Sequence, residues 1–186
     1  MQHIERKFST KLILEKMDSW DILFGYPLPR KTYQWDSTQR SLLIHSILQD
    51  YVIPPIYGIK LYSNDNYSFS VLDGKQRLTT IYDYVHDKFR LMDNMPMVTV
   101  RKRHVVTDDN GNKKAEFVNH EYDISNMKFS ELDETLKEII QDFPFTVVLL
   151  SDFTDEELKS QFFRLNNGTS YKNVKEIYSQ FRASIQ

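Results

Sequence analysis

Apolar positions along this chain change their spacing from segment to segment, and each change marks an element. Leu42, Leu43, Ile44, Ile47 and Leu48 recur at helical spacing behind an Asp36-Ser37-Thr38 cluster suited to capping, which predicts an amphipathic helix from Asp36 to Asp50, stopped by Pro54 and Pro55. Residues 56–62 and 67–72 read as strands, and Ser63-Asn64-Asp65-Asn66 between them has the composition of a hairpin turn. The second strand runs into Asp73-Gly74-Lys75-Gln76-Arg77, after which Leu78, Ile81, Tyr82 and Val85 predict a helix. Residues 97–106 and 115–122 flank Asp108-Asp109-Asn110-Gly111-Asn112, a turn signal that makes them the arms of a hairpin projecting from the core. Helices are expected over 130–141 and 154–164, the second opened by Thr154 with Glu157 three residues on, a capping-box spacing. The continuously apolar run 145–150 suits a buried strand, Asn166-Asn167-Gly168 a left-handed helix end, and 173–185 a last helix.

Strands and helices alternate, so the expected class is α/β or α+β: a small mixed sheet flanked by helices, with an inserted β-hairpin. At 186 residues the chain suits one domain, with its core over about residues 25–165 and a C-terminal helix over about 172–185. Apolar residues at 40% and aromatics at 13% are enough for a real core, which excludes global disorder. A net charge of -2 excludes a protein that coats nucleic acid by overall charge, so any such contact needs a local patch. The absence of cysteine removes disulfides, thiolate metal sites and Cys nucleophiles, and suits a reducing cytoplasm. No apolar run reaches the length of a membrane span and the start of the chain lacks a signal-peptide core, so a soluble cytoplasmic protein is expected.

Chemistry concentrates at Asp73-Gly74-Lys75-Gln76-Arg77, where a strand turns into a helix. A helix start presents backbone N–H groups and the positive end of the dipole, and Gly74 lets a ligand approach without a Cβ in the way. Lys75 and Arg77 add positive charge, and Arg77 can fork onto phosphate oxygens. Asp73 can hold a divalent cation or orient a water. The plain alternative is an Asp that caps a helix beside a turn Gly and a solvated Lys-Gln-Arg.

The flanking residues add order to this loop. Gly25-Tyr-Pro-Leu-Pro-Arg30-Lys31-Thr32-Tyr33-Gln34-Trp35-Asp36 comes first, then Leu43-Ile44-His45-Ser46-Ile47-Leu48, Ile53-Pro54-Pro55-Ile56-Tyr57, the loop itself, and Phe163-Arg164-Leu165-Asn166-Asn167-Gly168-Thr169. In this order the motifs resemble the N-terminal domain of GmrSD-type modification-dependent restriction proteins, a family with a ParB/sulfiredoxin-like fold and an Asp-Gly-Gln-Gln-Arg signature. The resemblance spans about residues 25–180. It places the signature on Asp73, Gly74, Lys75, Gln76 and Arg77, with Lys75 where the family has its first Gln, a change that keeps a donor, adds charge and removes an amide oxygen. The family's Gln-Arg falls on Arg30 and Lys31, and its aromatic pair on Tyr33 and Trp35, of which Trp35 reads more simply as core. Its Asn-Gly segment falls on residues 166–169, which also read as a helix C-cap.

This resemblance implies a domain that binds a nucleoside triphosphate with Mg²⁺ and hydrolyses it, as the regulatory half of a DNA-targeting defence or DNA-processing system. Asp73 and Arg77 would be catalytic, Asp73 also the metal ligand. Gly74, Lys75, Gln76, Arg77, Arg30, Lys31, Tyr33, Arg164, Asn166 and Asn167 would hold the nucleotide. Nuclease chemistry is not expected here, because the family's nuclease module follows this domain and uses His and Asn, while the last His of this chain is His120. DNA and a separate nuclease domain or protein are the expected partners, and homo-oligomerisation stays open. The rival readings are a nucleotide- or DNA-binding module without turnover and an interaction protein with a vestigial loop.

On the hairpin, Arg101, Lys102, Arg103, Lys113 and Lys114 set five positive charges against Asp108 and Asp109, which suits a DNA-contacting finger. Lysines that protect a sheet edge explain the same residues. His104 and His120, one on each arm, are placed to pair, but two histidines without a carboxylate cluster are weak metal ligands and no structural metal is expected there.

Overall fold

The computed structural model describes residues 1–24, 35–61, 68–107 and 113–167. The chain opens with β1 (Gln2–Ser9), α1 (Thr10–Asp18) and β2 (Ile22–Leu23), followed by α2 (Ser37–Leu48), β3 (Ile56–Lys60), β4 (Phe69–Asp73) and α3 (Lys75–Val85). It continues with the hairpin strands β5 (Val98–Thr107) and β6 (Lys113–Tyr122), a short 3-10 turn (Phe129–Glu131), α4 (Glu134–Asp142), β7 (Pro144–Ser151) and α5 (Asp155–Asn167). β1, β7, β3, β4 and β2 form one mixed sheet in that order, and β5 pairs with β6 apart from it. The α+β class with an inserted hairpin is therefore correct. β4, whose end carries the signature loop, lies between β3 (antiparallel) and β2 (parallel).

Alternation along the strands divides the core in two. Phe145, Val147 and Leu149 of β7 join Phe69 and Val71 of β4 on the face covered by α1, α2, α3 and α4, which contribute Ile13, Ile44, Leu78 and Ile140. Val148, Leu150 and Leu72 point the other way, onto Leu158 and Phe162 of α5. The short apolar run of β7 is buried on both faces, as its pattern predicts.

Most element ends follow the sequence chemistry. Asp36 caps α2 through a capping box with Gln39, and Thr154 and Glu157 bond reciprocally at the start of α5. Residues 130–141, expected as one helix, divide into the 3-10 turn and α4, because the Asp133 side chain accepts from the Thr135 N–H and starts a new helix there.

Residues 1–24 depart from the expected core limits. β1 pairs with β7 along its whole length, from Gln2 opposite Ser151 to Ser9 opposite Pro144, and Phe8 and Ile13 are fully buried, so the core begins well before residue 25. Arms of the expected β3–β4 hairpin pair antiparallel, while its turn residues, the hairpin tip 108–112 and the expected last helix lie outside the described residues.

Candidate functional site

β4 ends at Asp73, Gly74 turns the chain, and α3 begins at Lys75. Gly74 has φ 101°, a left-handed value that an L-residue adopts only with strain, and a Cβ there would lie 2.5 Å from Ile56 Cδ1. The backbone calls for glycine here, and an added Cβ would also force the end of the Ile56 side chain to move. Because the capping position is a glycine, α3 starts without a side-chain cap. The first-turn N–H groups of such a helix lack intrahelical acceptors, which is the arrangement that receives anions.

Asp73 and Arg77 meet across this turn. Arg77 Nη2 donates to Asp73 Oδ2 at 3.0 Å and to the Pro55 carbonyl at 3.1 Å, so the guanidinium ties α3 both to the end of β4 and to the segment entering β3. The pair is half-buried, with 14% of the Arg77 side chain and 24% of the Asp73 side chain exposed. Arg77 Nε is buried with no hydrogen-bond partner among the described residues. Lys75 is exposed, its Nζ 5.8 Å from the centre of the Phe24 ring, and Gln76 Oε1 accepts from the Trp35 N–H at 3.4 Å. Trp35 itself is partly buried against the core, as the simpler reading of this residue has it.

The loop therefore unites Asp73, Gly74, Lys75, Gln76 and Arg77, and through Trp35 it touches the C-terminal end of the segment that holds Arg30, Lys31 and Tyr33. Those three residues lie outside the described residues. Arg164 is exposed on α5, the helix on the opposite face of the sheet from α3, and Asn166 and Asn167 form the last helical positions. Two participants were not anticipated from sequence. Pro55, read as a helix stop and as part of an ordered motif but not as a site residue, supplies a carbonyl to Arg77, and Phe24 lies under Lys75. Neither role carries a sequence signal of its own, since one acts through its backbone and the other through a long-range approach.

These groups suit a phosphate. An uncapped helix start and an exposed Lys suit an anion, while the Cβ that Gly74 lacks would point at Ile56 and Arg77, so the glycine serves the turn itself. Among the described residues no three His, Asp or Glu side chains gather to hold a metal. Asp73 is the carboxylate at the loop, which fits Mg²⁺ held by one carboxylate and the phosphate oxygens of its ligand.

On the hairpin the five basic residues divide by face. Lys102 Nζ donates to Thr135 Oγ1 of α4 at 2.7 Å, and hydrogen bonding to the Tyr122 hydroxyl holds its ammonium pKa above the ordinary value. Lys114 shares that face and lies 3.9 Å from Glu116. Arg101 and Arg103 point away from the body, in register with Asn119 and Phe117, and Lys113 lies on the same side. His104 and His120 do pair, Nε2 to Nε2 at 3.3 Å, by reaching diagonally over the face that carries Lys102.

The family model described as "GmrSD restriction endonuclease, N-terminal domain" matches residues 26–181 of this chain. Neither a curated protein nor a solved structure matches it.

Proposed function

Since the chain belongs to the family of GmrSD restriction endonuclease N-terminal domains, and so to the components of restriction systems, we propose that its loop from Asp73 to Arg77 seats the phosphates of a nucleoside triphosphate. In this reading the domain regulates a DNA-targeting system whose cutting is done by a separate nuclease domain or partner protein. The observation that carries it is the uncapped start of α3 behind a glycine at φ 101°, with Lys75 and Arg77 in its first turn.

Each residue has a definable task. Gly74 makes the left-handed turn that starts α3, the N–H groups of the first turn and Lys75 bind phosphate oxygens, and Gln76 links the loop to the segment ending at Trp35. Arg77 holds Asp73 in place before nucleotide arrives and exchanges that partner for a phosphate oxygen afterwards. Released in this way, Asp73 would hold Mg²⁺ or align a water. Bound Mg²⁺ would supply charge neutralisation on the triphosphate, and Arg77 stabilises charge that develops as the terminal phosphate leaves. The outward arginines of the hairpin contact DNA phosphates.

Binding without turnover is the second reading, favoured by the pairing of Asp73 with Arg77, which occupies one oxygen of the carboxylate at the loop. The test is a melting series with ATP, GTP, CTP and UTP, with and without Mg²⁺, joined to phosphate release with and without DNA. A melting shift with phosphate release establishes the hydrolase; a shift alone establishes the binding module. No shift with any nucleotide removes the triphosphate seat.

A further inference from the structure

The hairpin has one face whose base packs on the domain and whose outer half is exposed, and one that no described residue covers along its length. At its base Val98 is fully buried, Val100 and Tyr122 pack against the core, and Lys102 is bonded to α4. The other face alternates with these residues: Thr99, Arg101, Arg103, Val105 and Thr107 on β5, in register with Glu121, Asn119, Phe117, Ala115 and Lys113 on β6. All ten are exposed. Three are cationic and one anionic, in a chain whose overall charge is -2, so the positive charge of this face is local.

Protection of sheet edges accounts for the charges but not for their neighbours. Phe117 is 56% exposed and Val105 59% exposed, and a face meant only to stay in water gains nothing from a phenylalanine and a valine beside its arginines. Phe117 is also arranged: the Arg101 guanidinium lies over its ring, 4.4 Å from the centroid. A flat ring layered with a flat cation offers a stacking surface for another planar group, flanked by Arg103 and Lys113 for negative charge. Planar groups strung on a phosphate chain are the ligand with both features. In a duplex those planar faces are already stacked on each other, whereas in a single strand they are free.

We propose that the outward face of the β5–β6 hairpin binds single-stranded nucleic acid, with a base stacked on the Phe117–Arg101 pair and phosphates held by Arg101, Arg103 and Lys113. The site rests on the reading of the chain as part of a DNA-targeting system. Lys102 and Lys114, on the opposite face, are excluded from it: Lys102 anchors the hairpin to the body and Lys114 faces Glu116.

The test is fluorescence anisotropy on the full chain with three labelled probes: an oligothymidine, a mixed-sequence duplex of equal length and a polyglutamate peptide. Oligothymidine should bind tightest. Phe117→Leu, which keeps an apolar side chain, should weaken it on the order of tenfold and leave duplex binding unchanged. Arg103→Ser should weaken it roughly fivefold and flatten the salt dependence, whereas Lys114→Ser, an equal charge loss on the other face, should change it less than about twofold. Both outward positions are exposed, so melting temperatures should stay at the wild-type value and separate lost binding from lost fold. Tighter binding of duplex or polyglutamate, an unaffected Phe117→Leu, or equal losses at positions 103 and 114 would each overturn the site. Single-strand binding that survives substitution of the whole outward face overturns the site alone; a wild type that binds neither DNA probe overturns the DNA-targeting reading with it.

Discussion

Asp73 and Arg77 are each other's partners before they are anyone else's, and this changes what their substitution should do. Arg77→Ala removes the donor to both Asp73 and the Pro55 carbonyl, leaving two half-buried acceptors unmatched. We expect unfolding free energy to fall by about 1–3 kcal/mol in urea titration, and nucleotide affinity to fall roughly tenfold by calorimetry. A variant as stable as wild type would show that the pair does not brace the turn; unchanged affinity would remove Arg77 from the phosphate seat. Asp73→Asn keeps the side-chain shape and an acceptor oxygen while deleting the charge that holds Arg77. Nucleotide affinity in EDTA should then hold or rise, while Mg²⁺-dependent phosphate release falls on the order of 10²-fold. Release at the wild-type rate would leave Asp73 only its structural bond. The five loop residues stood out in sequence through the order of motifs around them, since a short Gly-containing turn with Lys and Arg is common by itself. Their internal pairing did not, since an i,i+4 contact across a strand–helix junction depends on the left-handed turn at Gly74. Lys102 shows the same limit: its charge suggested DNA, and only alternation along β5 turned it toward Thr135.

At the level of elements, Gly74 is the joint on which the site depends. Gly74→Ala imposes left-handed strain and a contact at 2.5 Å with Ile56 Cδ1, so either the buried Ile56 side chain or the turn must shift. A loss of about 1–3 kcal/mol in denaturant unfolding is expected, with weakened nucleotide binding even at temperatures where the variant is folded. Wild-type stability and affinity together would show that the turn tolerates rearrangement. Elements with a strong period or a strong punctuating residue were readable: α2 behind Asp36, α5 behind Thr154, and the hairpin around its Asp-Asn-Gly turn. β1 was not. Its sequence has only Ile4 and Phe8 as apolar positions among polar neighbours, too sparse a pattern to signal a strand. It becomes one because β7 offers an unpaired edge, a tertiary influence that no local window contains.

For the whole molecule, the titration of folding follows from carboxylates placed on backbone and side-chain donors. Asp21 is held below its ordinary value of 3.8 first by its bond to Lys16, Asp87 by the Ser130 N–H and Asp133 by the Thr135 N–H. Glu131 is held below 4.5 by Arg90, and Glu157 by the Thr154 N–H. A folded pKa below the unfolded one means stabilisation present above the unfolded value and lost as pH falls through the folded one. Melting temperature should therefore be level above about pH 5 and decline below about pH 4. Tyr84 acts at the other end: burial raises its phenol above the ordinary 10.0, so its contribution is intact below that pH and is lost as pH rises past it. A melting temperature that is flat from pH 3 to pH 11 would contradict both limbs. The sheet, finally, has a consequence for the order in which the protein is made. Among the described residues, residues 2–9 find their partner strand in residues 144–151. At about 5–20 residues per second, a nascent β1 waits on the order of ten seconds for its mate to leave the ribosome. Glu5, Arg6 and Lys7 keep that lone strand soluble and discourage pairing with its neighbours on a polysome. The first amides of the chain should thus be among the last to gain protection from exchange, appearing together with those of β7.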